Sequence, residues 1–399
     1  MKKLFYLLLA VLLLSGCSAQ KDDRVTINVY NWGQYISEGD DGCIDVIAEF
    51  EKAYPNIKVN YVTFDSNETM YTKMAGGGIT VDVIIPSDYM VGRLAQEGML
   101  LPLNFDNIPN AQLVDPRFRN PSYDPENKYS VPYSWGTVGI IYNTKYVNEA
   151  DVTGWEILWN ENRDGEQLDY AGKILMFDNS RDAFAIAQCR LGYSMNTTDK
   201  AELLECAKLL EQQRPVVQQY IMDQVFDLME NEEAWIAPYY AGDYLTMSGE
   251  NEDLAFYLPA DQGFNLFVDA MCIPACCENK EAAELFINFL CSPEIAGGNM
   301  DWICYSTPIS AAKEYMELDE EMEAINYPSD EFLDKGSSYQ PLPRETTRYV
   351  DNLFMRVRNG ISLEKKAGTE VFIWVAAIVG VTVIAGVTFL VLKKRKKAK

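Results

Sequence analysis

Short apolar runs alternate with segments of helical period along most of this 399-residue chain, and that alternation limits the fold more than any other feature. Val25-Thr26-Ile27-Asn28-Val29 and Ile57-Lys58-Val59-Asn60-Tyr61 alternate as half-buried strands do. Ile44, Ile47 and Phe50 recur at helical spacing before Pro55 stops the segment, and residues 68–74 read as a second helix. Val81-Asp82-Val83-Ile84-Ile85 suits a buried parallel strand, followed by a helix from about Tyr89 to near Gly98. Strands at 139–142, 174–177 and 233–237 and helices at 183–191, 200–212 and 279–290 continue the pattern. The pattern predicts an α/β fold with a mostly parallel sheet wrapped by helices. Ligands of such sheets sit beyond the C-terminal strand ends, so the residues there are the ones to inspect.

Both chain ends carry membrane features. Lys2 and Lys3 precede an apolar run from Leu4 to Leu14, then Ser15-Gly16-Cys17. This is the layout of a secretory signal, and the run is too short to span a bilayer comfortably. A cysteine directly after Leu-Ser-Gly resembles a bacterial lipobox, so residues 1–17 are expected to be a lipoprotein signal peptide and Cys17 to be lipidated. Residues 371–392 are uncharged and apolar. At about 1.5 Å per residue they reach about 33 Å, against a hydrocarbon core of about 30 Å. A transmembrane helix is therefore expected there, with 359–370 as a polar linker and the basic cluster 393–399 as a cytoplasmic tail. The globular part would lie on the extracytoplasmic face of the cell membrane, held by Cys17, the C-terminal helix or both.

Charge and composition then exclude function classes. All 59 acidic residues lie between Cys17 and Val371, against 26 basic ones once the signal and the tail are set aside. The exported part is thus near −33, which repels nucleic acid and anionic substrates and concentrates cations. No histidine occurs, which removes His-dependent catalytic dyads and triads and His-ligated metal sites. Eight scattered cysteines follow Cys17 with no CxxC spacing, so no metal or redox motif is read from them and disulfides are not required. About 350 residues between the anchors suffice for two lobes with substantial cores.

The residues after the strands combine aromatics with carboxylates. Tyr30-Asn31-Trp32-Gly33-Gln34-Tyr35 follows the first strand, and Pro86-Ser87-Asp88-Tyr89 the third. Asp178-Asn179-Ser180-Arg181-Asp182, Tyr239-Tyr240-Ala241-Gly242-Asp243, Phe267-Val268-Asp269 and Tyr305-Ser306-Thr307-Pro308 come later. Any single ring there is as readily core packing as ligand contact. The recurring pairing suits an organic cation: an ammonium over an aromatic face gains about 0.5–2 kcal/mol, and its hydrogen bond to a carboxylate about 1.5–3 kcal/mol.

Longer stretches carry a resemblance. Tyr30-Asn31-Trp32 with Tyr35, Ser66-Asn67-Glu68-Thr69-Met70-Tyr71, Pro86-Ser87-Asp88-Tyr89 and Tyr129-Ser130-Val131-Pro132-Tyr133-Ser134-Trp135-Gly136 are four of them. Leu191-Gly192-Tyr193-Ser194, Asn196-Thr197-Thr198-Asp199 and Asn279-Lys280-Glu281 complete the set. Over essentially the whole exported part, the chain resembles the spermidine/putrescine-binding proteins of bacterial ABC importers. The resemblance implies a type II periplasmic-binding-protein fold, with lobe 1 at 25–136 and 266–303 and lobe 2 at 137–265 and 304–358, closing on ligand at a hinge. It implies an aromatic box of Trp32, Tyr35, Tyr89, Tyr240, Phe267 and Tyr305, amine-binding Asp182 and Asp269, and hydrogen bonds from Ser87 and Gln340. Gln34 and Asn179 stand where the spermidine-specific relative carries carboxylates, so a diamine such as putrescine is as well matched as spermidine. Asp178 is the neighbour that could turn inward to compensate.

The expected protein is a monomeric binding protein, not an enzyme, that needs no cofactor, binds no nucleic acid and hands a polyamine to ABC permease subunits. Two alternatives stay open: another cationic or small organic ligand on the same fold, and an extracytoplasmic hydrolase using Asp182 and Asp269 as an acid/base pair.

Overall fold

The computed structural model describes residues 22–363. In chain order the first elements are β1 (Val25–Trp32), α1 (Val46–Ala53), β2 (Ile57–Phe64), α2 (Asn67–Ala75), β3 (Val83–Ile84) and α3 (Asp88–Gln96). The chain continues with β4 (Ser130–Asn143), β5 (Ile174–Phe177), α4 (Ser180–Leu191), α5 (Lys200–Gln213), β6 (Val217–Ile221), α6 (Val225–Glu230), β7 (Ile236–Tyr240) and α7 (Ala241–Glu250). It ends with β8 (Leu254–Tyr257), β9 (Phe264–Cys272), α8 (Lys280–Leu290), α9 (Pro293–Ile303), α10 (Glu320–Asn326), α11 (Asp330–Leu333), β10 (Gly336–Ser337) and α12 (Arg344–Arg358).

Helix starts follow the local chemistry. Asp45, Ser66, Asn179 and Asp199 each accept a backbone N–H at the start of α1, α2, α4 and α5, satisfying donors that the first turn leaves open. Gly192 ends α4 in a left-handed conformation (φ 72°), which costs a glycine no steric penalty.

The strands run in the order β2-β1-β3-β9-β4-β7-β5-β6. Pairing is parallel for β1 with β2 and β3, and for β5 with β6 and β7. It is antiparallel for β9 with β3 and for β4 with β9, β7 and β8. The sheet is therefore mixed, where a mostly parallel one was expected. The reason lies in β4, expected only at 139–142. It is a 14-residue strand, buried throughout, that pairs with β9 from Ser130 to Thr137 and with β7 from Val138 to Tyr142. Two α/β halves result, joined by strands that run from one into the other, and this is the two-lobe α/β fold that the sequence suggested. The first strand of each half places its C-terminal end at the join, where the candidate site lies.

The expected fold class is corrected at the C-terminus. No helix among the described residues is long and apolar enough to cross a membrane, and the transmembrane helix expected at 371–392 lies outside the described residues, as do the tail and the signal peptide with Cys17. The described fold is the two-lobe unit alone. Nor does the chain leave the domain at 359, where the linker was expected to begin. Gly360 turns left-handed (φ 66°), Leu363 is buried, and its amide donates to Glu211 Oε1 at 3.0 Å.

Candidate ligand-binding site

Strands β1, β7 and β9, helix α3 and the irregular segments after α9 and β10 bring a row of aromatic rings together between the two halves. Tyr35, in the turn after β1, packs edge-on against Tyr305 with ring centres 5.1 Å apart. Tyr305 lies 6.1 Å from Phe267 on β9, and Phe267 lies 5.4 Å from Tyr240 at the end of β7. Tyr89 in α3 meets Tyr339 at 6.1 Å. Two glycines make this packing possible. A Cβ at Gly242 would fall 2.3 Å from Tyr305 Cδ2, and one at Gly136 would fall 2.7 Å from Phe267 Cζ. The rings touch one another, so a guest enters between them only if the halves part.

Each of the five phenols in the row is bonded to a carboxylate. Tyr35 donates to Asp269 Oδ2 at 2.8 Å and lies 2.9 Å from Ser134 Oγ. Tyr240 donates to Asp182 Oδ2 at 3.1 Å and Tyr339 to Asp182 Oδ1 at 2.9 Å. Tyr305 donates to Asp243 Oδ1 at 2.9 Å, and Tyr89 to Glu68 Oε1 at 3.0 Å while accepting from Asn67. Ser87 pairs its backbone with Asp269 as a β-bridge, which sets its side chain beside that carboxylate. The Ser87 hydroxyl makes no cap bond at the start of α3.

The carboxylates are destabilised as anions. Burial pushes Asp182 and Asp269 up to about 6, partly offset by the phenol and serine hydrogen bonds, and each is raised further by a neighbouring carboxylate. Burial takes Asp243 to about 7 and raises Glu68. Asp269 Oδ1 is buried without a partner. Buried anions facing aromatic rings, with lone pairs unsatisfied, present the reverse image of a cation with several N–H donors.

Tyr35, Ser87, Tyr89, Asp182, Tyr240, Phe267, Asp269 and Tyr305 are thus brought together, and four expected residues are not among them. Gln34 is exposed in a left-handed turn (φ 51°). The Asn179 side chain is spent on α4, accepting from the amides of Arg181 (2.8 Å) and Asp182 (3.4 Å). Gln340 turns its amide to Ser122 at 2.5 Å. Trp32 packs on Phe64 at 4.6 Å, with its indole N–H buried and unpartnered. Asp178 does not turn inward; it pairs with Arg358 of α12.

Tyr339, Asp243 and Glu68 were missed. Asp243 and Glu68 stand within stretches already singled out, at 239–243 and 66–71. Tyr339 lies in an irregular segment after β10, where no periodicity points to it. A cleft of about 280 Å³ opens beside Glu68, lined also by Asp65, Asp178, Asp351 and Phe354.

Residues 45–324 match the family model of bacterial extracellular solute-binding proteins, and residues 1–18 match that of the prokaryotic membrane lipoprotein lipid attachment site. The chain is 32% identical over 333 residues to the spermidine/putrescine-binding periplasmic protein of Escherichia coli, covering 83% of this chain and 91% of that one. Among solved structures it superposes on the spermidine/putrescine ABC transporter substrate-binding protein PotD of Streptococcus pneumoniae with a TM-score of 0.71 at 34% identity, covering 85% of this chain and 100% of that one. The PotD lipoprotein of Treponema pallidum gives 0.72 at 25% identity, over 84% of this chain and 99% of that one. The attachment-site match places the protein outside the cytoplasm and anchored to a membrane. The chain belongs to the bacterial extracellular solute-binding proteins, a family of binding proteins rather than of enzymes.

Proposed function

We propose that this protein binds a polyamine, putrescine or spermidine, outside the cell and delivers it to the permease of an ABC importer. The observation that carries the reading is the row of phenols, each hydrogen-bonded to a carboxylate, with Asp182 and Asp269 buried among them. Asp182 and Asp269 receive the terminal ammonium groups. Glu68 adds negative charge at the exposed rim, and Asp243 stands beside Tyr305. Tyr35, Tyr89, Tyr240, Phe267 and Tyr305 enclose the methylene chain, with Trp32 closing the side beyond Phe64. Ser87 holds Asp269 in place. The carboxylates that Gln34 and Asn179 lack are replaced by Asp243 and Glu68, not by Asp178.

The halves at 25–136 with 266–303 and at 137–265 with 304–358 close on the ligand about β4 and β9. Lipid on Cys17 keeps a monomeric receptor beside the permease. The names of the relatives support the ligand class, and putrescine is expected to be taken at least as well as spermidine.

A thermal-shift panel on the full chain tests this. Polyamines are expected to raise the melting temperature in proportion to the logarithm of their concentration, because ligand that binds only the folded state stabilises it. A shift with amino acids or sugars, and none with any polyamine, would refute the ligand class.

A further inference from the structure

Tyr339 sits on a strap that crosses from one half to the other. Before it, Gly336 and Ser337 pair with Phe264 and Asn265 of β9, and Ser338 Oγ donates to Leu266 O at 2.9 Å. Asn196 binds the strap on both sides of Tyr339, donating to Ser338 O at 3.0 Å and accepting from the Gln340 amide at 2.8 Å. After it, Gln340 reaches Ser122, and Pro341 packs so closely on Gly92 of α3 that a Cβ there would lie 2.4 Å from Pro341 Cγ. The phenol between these ties is 4% exposed and has little freedom to move.

Its contacts separate two opposite charges. The hydroxyl donates to Asp182 Oδ1 at 2.9 Å, and the Arg181 guanidinium lies over the ring, 4.6 Å from its centre. Arg181 precedes Asp182 on α4 and would be its nearest cation. Its Nη2 instead donates to Asn196 Oδ1 at 2.7 Å and Gln340 O at 3.2 Å, both on or beside the strap.

We propose that Tyr339 is a positioning residue of the amine site: it fixes Asp182 through its hydroxyl and holds Arg181 on its ring, keeping the protein's own guanidinium off the carboxylate the ligand needs. This rests on the reading that the site takes an amine. An internal ion pair at Asp182 would compete directly with the ligand's ammonium, since one buried carboxylate face satisfies one close cation best. Stacking the guanidinium on a phenol keeps it partnered without spending the carboxylate.

The groups around Asp182 set its pH response. Tyr239 and Tyr240 face it from β7, Tyr89 from α3, Glu68 from α2 and Asp269 from β9, with Arg181 on its own helix. Cys189, on the same helix, lies beside Tyr339. The hydrogen bonds from Tyr339 and Tyr240 and the charge of Arg181 favour the anion; burial and Glu68 oppose it.

Two substitutions separate the two jobs of the side chain. Tyr339→Phe keeps the ring and loses the hydroxyl, while Tyr339→Leu loses both. In the ligand-free full chain, carboxyl ¹³C NMR, with the Asp182 signal assigned through Asp182→Asn, is expected to show Asp182 titrating higher in Tyr339→Phe, by about one unit. In Tyr339→Leu it is expected to titrate lower than in the unaltered protein, because Arg181 is released to pair with it. Calorimetry with putrescine is expected to show about tenfold weaker binding for Tyr339→Phe, from one lost hydrogen bond to a charged group. A larger loss is expected for Tyr339→Leu, and adding Arg181→Gln to it should restore about tenfold. Asp182 titrating alike in all three proteins, or Arg181→Gln further weakening Tyr339→Leu, would overturn the proposal. If the NMR shifts appear but the unaltered protein binds no polyamine, the ligand reading fails and the role of Tyr339 stands.

Discussion

At the scale of single residues, the proposed reading separates ligand carboxylates from look-alikes that hold the fold. Asp182→Asn and Asp269→Asn each remove a charge-assisted bond worth about 1.5–3 kcal/mol, so polyamine affinity is expected to fall about tenfold to hundredfold, read by calorimetry. The same substitutions relieve a buried anion, so the melting temperature of the ligand-free protein is expected to stay level or rise. Asn179→Ala should do the reverse. It removes the α4 cap, costing about 1 kcal/mol and lowering the melting temperature, while leaving polyamine affinity within a few fold.

The recurring aromatic–carboxylate pairs after strands marked the segments, and the resemblance to the spermidine/putrescine-binding proteins picked Asp182 and Asp269 within them. The sequence could not separate them from Asn179 and Gln34, because a cap and a left-handed turn are decided by backbone geometry that residue type alone does not reveal. Asp243 stood in plain view beside Tyr240. What singles it out is the Tyr305 hydroxyl, which comes from 62 residues away.

Among the secondary-structure elements, α2, α4, α5 and α8 lie close to the helices read from periodicity, because each presents an apolar face to the core and begins at a recognisable cap or turn. β4 and β7 were read less well. β4 is buried on both faces, so no alternation marks its first half, and Pro132 with Gly136 and Gly139 reads as a broken strand. Its register shifts between Pro132 and Ser134, which absorbs the irregularity.

Gly242, in the first turn of α7, links element to site. On helix propensity alone, Gly242→Ala would stabilise the helix by up to about 1 kcal/mol. Its methyl would instead meet the Tyr305 ring at 2.3–2.7 Å, so the ring must leave the row. Polyamine affinity is expected to fall at least tenfold with the fold retained, checked by calorimetry beside circular dichroism. Unchanged affinity would show that Tyr305 is not a wall of the site.

For the whole molecule, charge ties stability to ligand. Asp182, Asp269 and Asp243 titrate at about 6, 6 and 7 in the folded protein, against about 3.9 unfolded. The folded state therefore binds more protons than the unfolded one between about pH 4 and 7, and ligand-free stability falls as pH rises through that window. A polyamine supplies the missing countercharge, so its affinity should rise over the same window and flatten the decline. Melting curves at pH 5 and pH 8, with and without putrescine, check this; the ligand-induced shift is expected to be larger at pH 8.

The α/β class was legible from strand–helix alternation, while the two-lobe architecture came from the resemblance, with a length that allowed it. The closeness of the rings was not, since it depends on how two halves meet along β4 and β9. Isothermal titration of the full chain with putrescine and with spermidine at pH 7.5, alongside the double substitution Asp182→Asn with Asp269→Asn, tests the central claim most directly. One saturable site per chain in the unaltered protein, lost in the folded double variant, is the predicted result. Equal binding by both proteins, or none by the unaltered one, would contradict it.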